Sequence, residues 1–94
     1  MTPNCQPFPL GRVVATPGAL TAMERSGDAP ADFVRRHERG DWGKVGADDW
    51  ARNDAALKDG LRVVSSYTLK DGETIWVITE ADRSATTLLL PDEY

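Results

Sequence analysis

His37 is the only histidine of the chain, and so its one side chain whose ordinary pKa lies near neutrality. Acid–base chemistry on a phosphate would need a complementary group and a cation beside it. One stretch offers both. Ile78 to Thr87 carries Glu80, Asp82, Arg83, Ser84, Thr86 and Thr87 around a turn between two expected strands. In a catalytic reading, His37 is base or acid, Glu80 its complement and Arg83 the phosphate clamp of a small metal-independent ribonuclease. That requires the three to converge within roughly 8 Å, the reach of hydrogen-bonding groups around one phosphate. In the structural reading, His37 shares a helix face with Phe33 and packs half-buried on the sheet. Asp82 and Ser84 then cap their own turn, and Arg83 pairs with Glu80 or the tail carboxylates. The structural reading is the preferred one, and the chain reads as a binding protein before it reads as an enzyme.

A second set of residues suits binding. Trp42 lies in a loop between Asp41 and Gly43, beside the basic run that holds Arg35, Arg36 and Arg39. An indole there could stack on a base or anchor a protein partner, though packing over the core edge is the preferred reading. The candidate binding residues are therefore Arg35, Arg39 and Trp42 with Asp82, Arg83 and Ser84. Trp50 and Trp76 fit core positions instead.

Composition narrows the function classes. The chain has 94 residues, 11 basic against 15 acidic, and a formal net charge of −4. That balance disfavours broad nonspecific DNA binding, which needs a basic footprint. Phosphate-cradling glycine motifs and the nucleophile elbow are absent from the sequence. One Cys and one His cannot build a four-ligand zinc site, and Cys5 reads as incidental. No cofactor is expected. No run approaches the ~20 apolar residues of a membrane span, and no secretory signal opens the chain, so the cytoplasm is the expected compartment. A protein is the expected partner, with nucleic acid as the alternative.

Several longer stretches carry a resemblance. They are His37 to Gly43, Asn53 to Leu57, Ser66 to Leu69, Ile75 to Ser84 and Leu89 to Tyr94. Together they resemble a family of small bacterial proteins of plasmids and integrated elements, usually called plasmid-related proteins. Some members carry the label "type I restriction endonuclease subunit M". A methyltransferase subunit needs a cofactor-binding domain far larger than this chain. The resemblance implies a mobile-element context, with a role in host defence or element maintenance, and carries no catalytic residues with it.

The elements that must position these residues follow from local signals. Residues 1–11 read as an extended arm because Pro3, Pro7 and Pro9 remove backbone donors. Residues 12–94 read as one α+β domain. Arg12 to Ala15 suits a short strand. Thr16-Pro17 starts a helix that stops at Gly27, with Ala19, Leu20 and Met23 as its apolar stripe. Pro30 starts a second helix, and Ala47-Asp48-Asp49 a third that ends at Gly60. After Gly60 the period becomes two. Asp71-Gly72 signals a two-residue hairpin, which sets Lys70 opposite Glu73, Tyr67 opposite Trp76 and Val63 opposite Glu80. The expected fold is three short helices followed by a three- to four-stranded antiparallel sheet. Ile75 to Ile78 is apolar on both faces, so it should be covered on both sides. The helices cover one face. The arm or a second copy of the chain should cover the other, where Ile75 and Val77 are expected, and a homodimer is slightly preferred.

Overall fold

The computed structural model describes residues 8–94. Cys5 and most of the expected arm lie outside the described residues. The order is β1 (Arg12–Ala15), α1 (Pro17–Ser26), α2 (Pro30–Glu38), α3 (Ala47–Asp59), β2 (Val63–Thr68), β3 (Thr74–Thr79) and β4 (Ala85–Leu89), then a short 3₁₀ turn, Pro91–Glu93. The fold is α+β, as expected.

Local chemistry sets the helix ends. Thr16 caps α1 by accepting the Ala19 amide at 3.1 Å, with Pro17 at the first position. No side chain caps α2. Asp28, just before it, accepts instead from the Ser26 hydroxyl at 2.7 Å and from the Lys70 amide at 2.8 Å, tying the α1–α2 junction to the hairpin. α3 opens with Asp48 and Asp49 at the positive end of its dipole and stops at Gly60 in the left-handed region.

The sheet runs β1-β4-β3-β2 and is mixed, which corrects the antiparallel expectation. β1 pairs parallel with β4, in register Arg12 to Ala85 through Ala15 to Leu88. All three helices and both hairpin strands intervene between the two, a connection long enough for a parallel pairing. The hairpin register is also one residue from the expected one. Tyr67 lies opposite Ile75, Ser66 opposite Trp76 and Val63 opposite Thr79. The loop has three residues rather than two. The Leu69 amide donates to the Glu73 carbonyl at 2.7 Å, and Gly72 alone takes a positive φ, 93°. A two-residue turn of the primed type would force Asp71 positive as well. Asp71 instead stays in the ordinary region and its carboxylate accepts the Glu73 amide at 3.0 Å.

A one-residue slip exchanges the faces of every side chain on a strand. Tyr67, Ile75, Val77 and Leu88 therefore share one buried cluster with Ala19, Ala22, Met23 and Phe33 of α1 and α2. Ile75 and Val77 meet the helices, not the far face. Trp76 and Ile78 take the far face, and there the C-terminus folds back. The Tyr94 ring meets the Trp76 ring at 5.8 Å and 69°, and Glu93 anchors the turn by accepting from Thr16 and from the Leu90 amide. The expected cover was the arm or a second copy; the chain's own C-terminal turn is what lies there.

A smaller cluster joins Trp42, Ala56 and Val63, with Phe8, Val45 and Leu57 against it. Leu20 (45% exposed) and Trp50 (37% exposed) lie outside both clusters, against expectation. On α3 the buried positions are Asn53 and Ala56. Asn53 closes the outer edge of β2: its amide donates to the Val64 carbonyl at 2.8 Å and accepts the Val64 amide at 3.2 Å. One pair further along, Ser66 bonds the backbone of Trp42 and Lys44. That edge is paired along its length rather than left open.

Candidate functional site

His37 projects from α2 into the sheet and is completely buried. Nδ1 bonds the Ser65 hydroxyl of β2, and Nε2 bonds the Thr79 hydroxyl of β3 at 2.8 Å. The polar line continues from Thr79 to the Thr86 hydroxyl at 2.7 Å, and Thr86 is 2.8 Å from the Leu10 carbonyl. Phe8 and Trp42 close over the ring edge-on, 5.4 and 5.5 Å between centroids. Burial, with a smaller push from the Arg83 charge, lowers the imidazole to about 4. The ring is neutral at ordinary pH and sealed from solvent.

Glu80 follows Thr79 directly, so its side chain leaves by the opposite face. It lies 3.8 Å from Arg62, not beside His37. Arg83 is spent inside the molecule. It is the one described non-glycine residue with a positive φ, 61°. That conformation turns its guanidinium back onto four carbonyls: Ala56 at 3.1 Å, Leu61 at 2.7 Å, Glu80 at 3.0 Å and Ala81 at 3.2 Å. Two of these belong to the end of α3 and the segment after it, where the Ala56 carbonyl also accepts the Gly60 and Leu61 amides that close the helix. Arg83 thus pins α3 to the β3–β4 turn. The Ser84 hydroxyl, and then the Ser84 amide that Asp82 accepts at 3.0 Å, hold the Asp82 carboxyl below the usual range. Arg83→Ala should lower stability by about 2–3 kcal/mol, the cost of leaving carbonyls without their charged donor. Urea unfolding followed by circular dichroism checks this, with Asp82→Ala expected to cost less.

The basic helix does not gather the other candidates. Trp42 is fully buried, and its indole donates to Asp54 at 3.0 Å, so it presents no surface to a ligand. Arg35 is 3.8 Å from Asp32. Arg36 bonds Asp41 at 2.8 Å and lies over the Tyr67 ring at 4.6 Å. Arg35, Arg36 and Arg39 border a shallow depression with Asp32 and Asp41; Asp82, Arg83 and Ser84 do not line it. Arg35 and Arg39 remain exposed on their own.

A second concave surface, a cleft, has an aromatic side chain in its wall. It measures about 450 Å³ and lies between α3 and the far face of the sheet. Lys44, Arg52 and Arg62 ring it with one carboxylate, Asp49, while Val64, Ser66 and Trp76 form its sheet side. Arg52 bonds Asp49 at 2.8 Å. Arg62 hydrogen-bonds the Tyr94 hydroxyl. Lys44 makes no ion pair among the described residues. The sequence signal for this site is Trp76 in a strand with charged residues near it in space. With the expected register, Trp76 would have faced the helices.

Among the described residues no three His, Cys, Asp or Glu side chains come together as a metal site, and no helix is long and apolar enough to cross a membrane. Comparison with protein families, curated proteins and solved structures gives no match to the chain.

Proposed function

We propose that the chain is a non-catalytic binding module that engages a macromolecular partner, a protein before a nucleic acid. The observation that carries this reading is the separation of the only histidine from Glu80. His37 is sealed on the helix side of the sheet, while Glu80 pairs with Arg62 on the other. The acid–base pair of the ribonuclease alternative has no common space in which a phosphate could sit. Arg83, its intended clamp, already holds four carbonyls. What is left for function is surface, and the cleft is the part of it that adds an aromatic side chain, Trp76, to concavity and charge. The mobile-element setting, in host defence or element maintenance, rests on the resemblance of the motifs from His37 to Tyr94. An intracellular role follows from the same resemblance.

The test compares the immobilised wild-type chain with a Lys44→Glu, Arg52→Glu variant in bacterial extract. The wild type is expected to retain a macromolecule that the variant releases. A wild type that retains nothing would overturn the proposal. So would RNA cleavage by the purified wild type that His37→Gln abolishes.

A further inference from the structure

We propose that the cleft between α3 and the far face of the sheet holds a nucleoside phosphate, its base against Trp76 and its phosphate among Lys44, Arg52 and Arg62. This inference rests on the binding-module reading, takes its nucleic-acid side for this one cleft, and names what enters there. A volume of about 450 Å³ lies within the range of small-ligand clefts, about 300–1,000 Å³. Its charge runs against that of the chain. The whole protein is acidic, at −4, yet the cleft's three cations exceed the two carboxylates beside them, Asp49 on Arg52 and Glu80 on Arg62, and Lys44 is the cation without an ion pair among the described residues. Lys44 is exposed, and Arg52 sits across from it on α3. Clustered cations within a concave wall concentrate an anionic ligand even when the protein's net charge repels it.

The aromatic wall distinguishes among anions. Trp76 is half-buried on β3, flanked in the sheet by β2 and β4. Tyr94 braces its ring at 69°, so the two do not stack on one another in parallel. An indole fixed in this way can accept the face of a base, a contact worth about 1–3 kcal/mol in single-strand binders. An acidic peptide would use the cations and leave the indole idle; a nucleoside phosphate uses both. The Ser66 hydroxyl on the same wall supplies a neutral donor and acceptor beside the ring.

The shared chemistry is met by a free mononucleotide or by one unit of a single strand. Calorimetric titration of the purified full chain with uridine monophosphate, with an oligouridylate strand and with an oligoglutamate peptide separates the cases. At least one nucleotide probe is expected to bind, more tightly than the peptide by about tenfold or more, and to weaken with added salt. Equal affinity for both nucleotide probes identifies the free nucleotide as the source, and preference for the strand identifies nucleic acid. Lys44→Glu, at an exposed position, should weaken that binding by about tenfold, because it replaces an attractive charge with a repulsive one. Arg39→Glu, outside the cleft, should leave it unchanged. The inference is overturned if neither nucleotide probe binds, if the peptide binds as well, or if Lys44→Glu has no effect. Retention of a macromolecule from nuclease-treated extract, lost in Lys44→Glu, Arg52→Glu while both nucleotide probes fail, would sink the nucleotide and leave the binding module standing.

Discussion

Acidification from neutrality to a pH of about 5 is expected to cost the wild-type chain about 2 kcal/mol of stability, before most carboxylates titrate, and a His37→Leu chain is expected to lack that loss. The imidazole is held near 4 in the folded chain against an ordinary value of 6.5. Between those values the unfolded chain binds a proton that the folded chain refuses, so stability falls as pH falls. The contribution is fully present above 6.5 and gone near 4; each unit of separation corresponds to about 1.4 kcal/mol. Asp28, Asp41, Asp82 and Glu93 also have lowered pKa values, from hydrogen bonds to their carboxylates. Their stabilisation is lost as pH falls through the ordinary carboxylate range and below it, so the two windows can be told apart. Urea midpoints measured across pH give the comparison. Equal slopes in wild type and His37→Leu between 6.5 and 4 would refute it.

The same substitution carries a cost at neutral pH. His37→Leu takes one partner from the Ser65 hydroxyl, which keeps the Tyr67 hydroxyl, and one from Thr79, both fully buried. About 2–4 kcal/mol should be lost, since buried polar groups that lose a partner pay desolvation. Adding Ser65→Ala to His37→Leu should recover part of it. Failure of that second change to recover anything would mean that ring shape, rather than hydrogen bonding, sets the cost.

Gly43→Ala is the second large effect expected, about 3 kcal/mol or more. Gly43 has a φ of 75° and forms a bridge with Ser66 of β2. An added Cβ would lie 2.6 Å from Cδ1 of Tyr67 and closer still to the Ser66 carbonyl oxygen. Neither neighbour can give way cheaply. Tyr67 is buried, with its hydroxyl donating to the Asp41 carbonyl at 2.6 Å. The Ser66 carbonyl accepts the Lys44 amide that closes the sheet edge. Gly46→Ala, three residues on, is the control, because nothing lies within 4 Å of its Cβ position. It should cost no more than about 0.5–1 kcal/mol, the preference for glycine over alanine at a helix N-cap. Thermal melts of the two variants beside wild type decide the matter, and comparable losses would show that contact at Gly43 is not the cause.

The candidate site was legible in part. The preference for a structural His37 needed only its spacing from Phe33 on a helix. The short-range turn bonds of Asp82 and Ser84 were also readable, because a side chain two residues from its acceptor leaves few choices. Arg83 was not. Its partners include Ala56 and Leu61, distant in sequence, and its left-handed backbone is unusual for arginine. Trp42 has the composition of a binding surface, a loop tryptophan beside three arginines, yet packing over the core edge, the preferred reading, is the one that holds. Only the packing of Phe8, Ala56 and Val63 around it makes it core.

The sequence by itself determined the helix limits and the turn to strands after Gly60. Those depend on Thr16, Pro17, Pro30, Gly60 and a period of two, all local. Tertiary structure decided the three-residue hairpin loop, the parallel pairing of β1 with β4, and the burial that depresses His37. The physical reason is reach. Asp71-Gly72 can close either a two- or a three-residue loop, and the alternatives differ by little locally. They differ greatly in what they bury, since a single step moves Ile75 and Val77 from the outer face to the helices and Trp76 from the helices to the cleft. Long-range burial of that whole set selects the register, and with it the face on which the cleft lies.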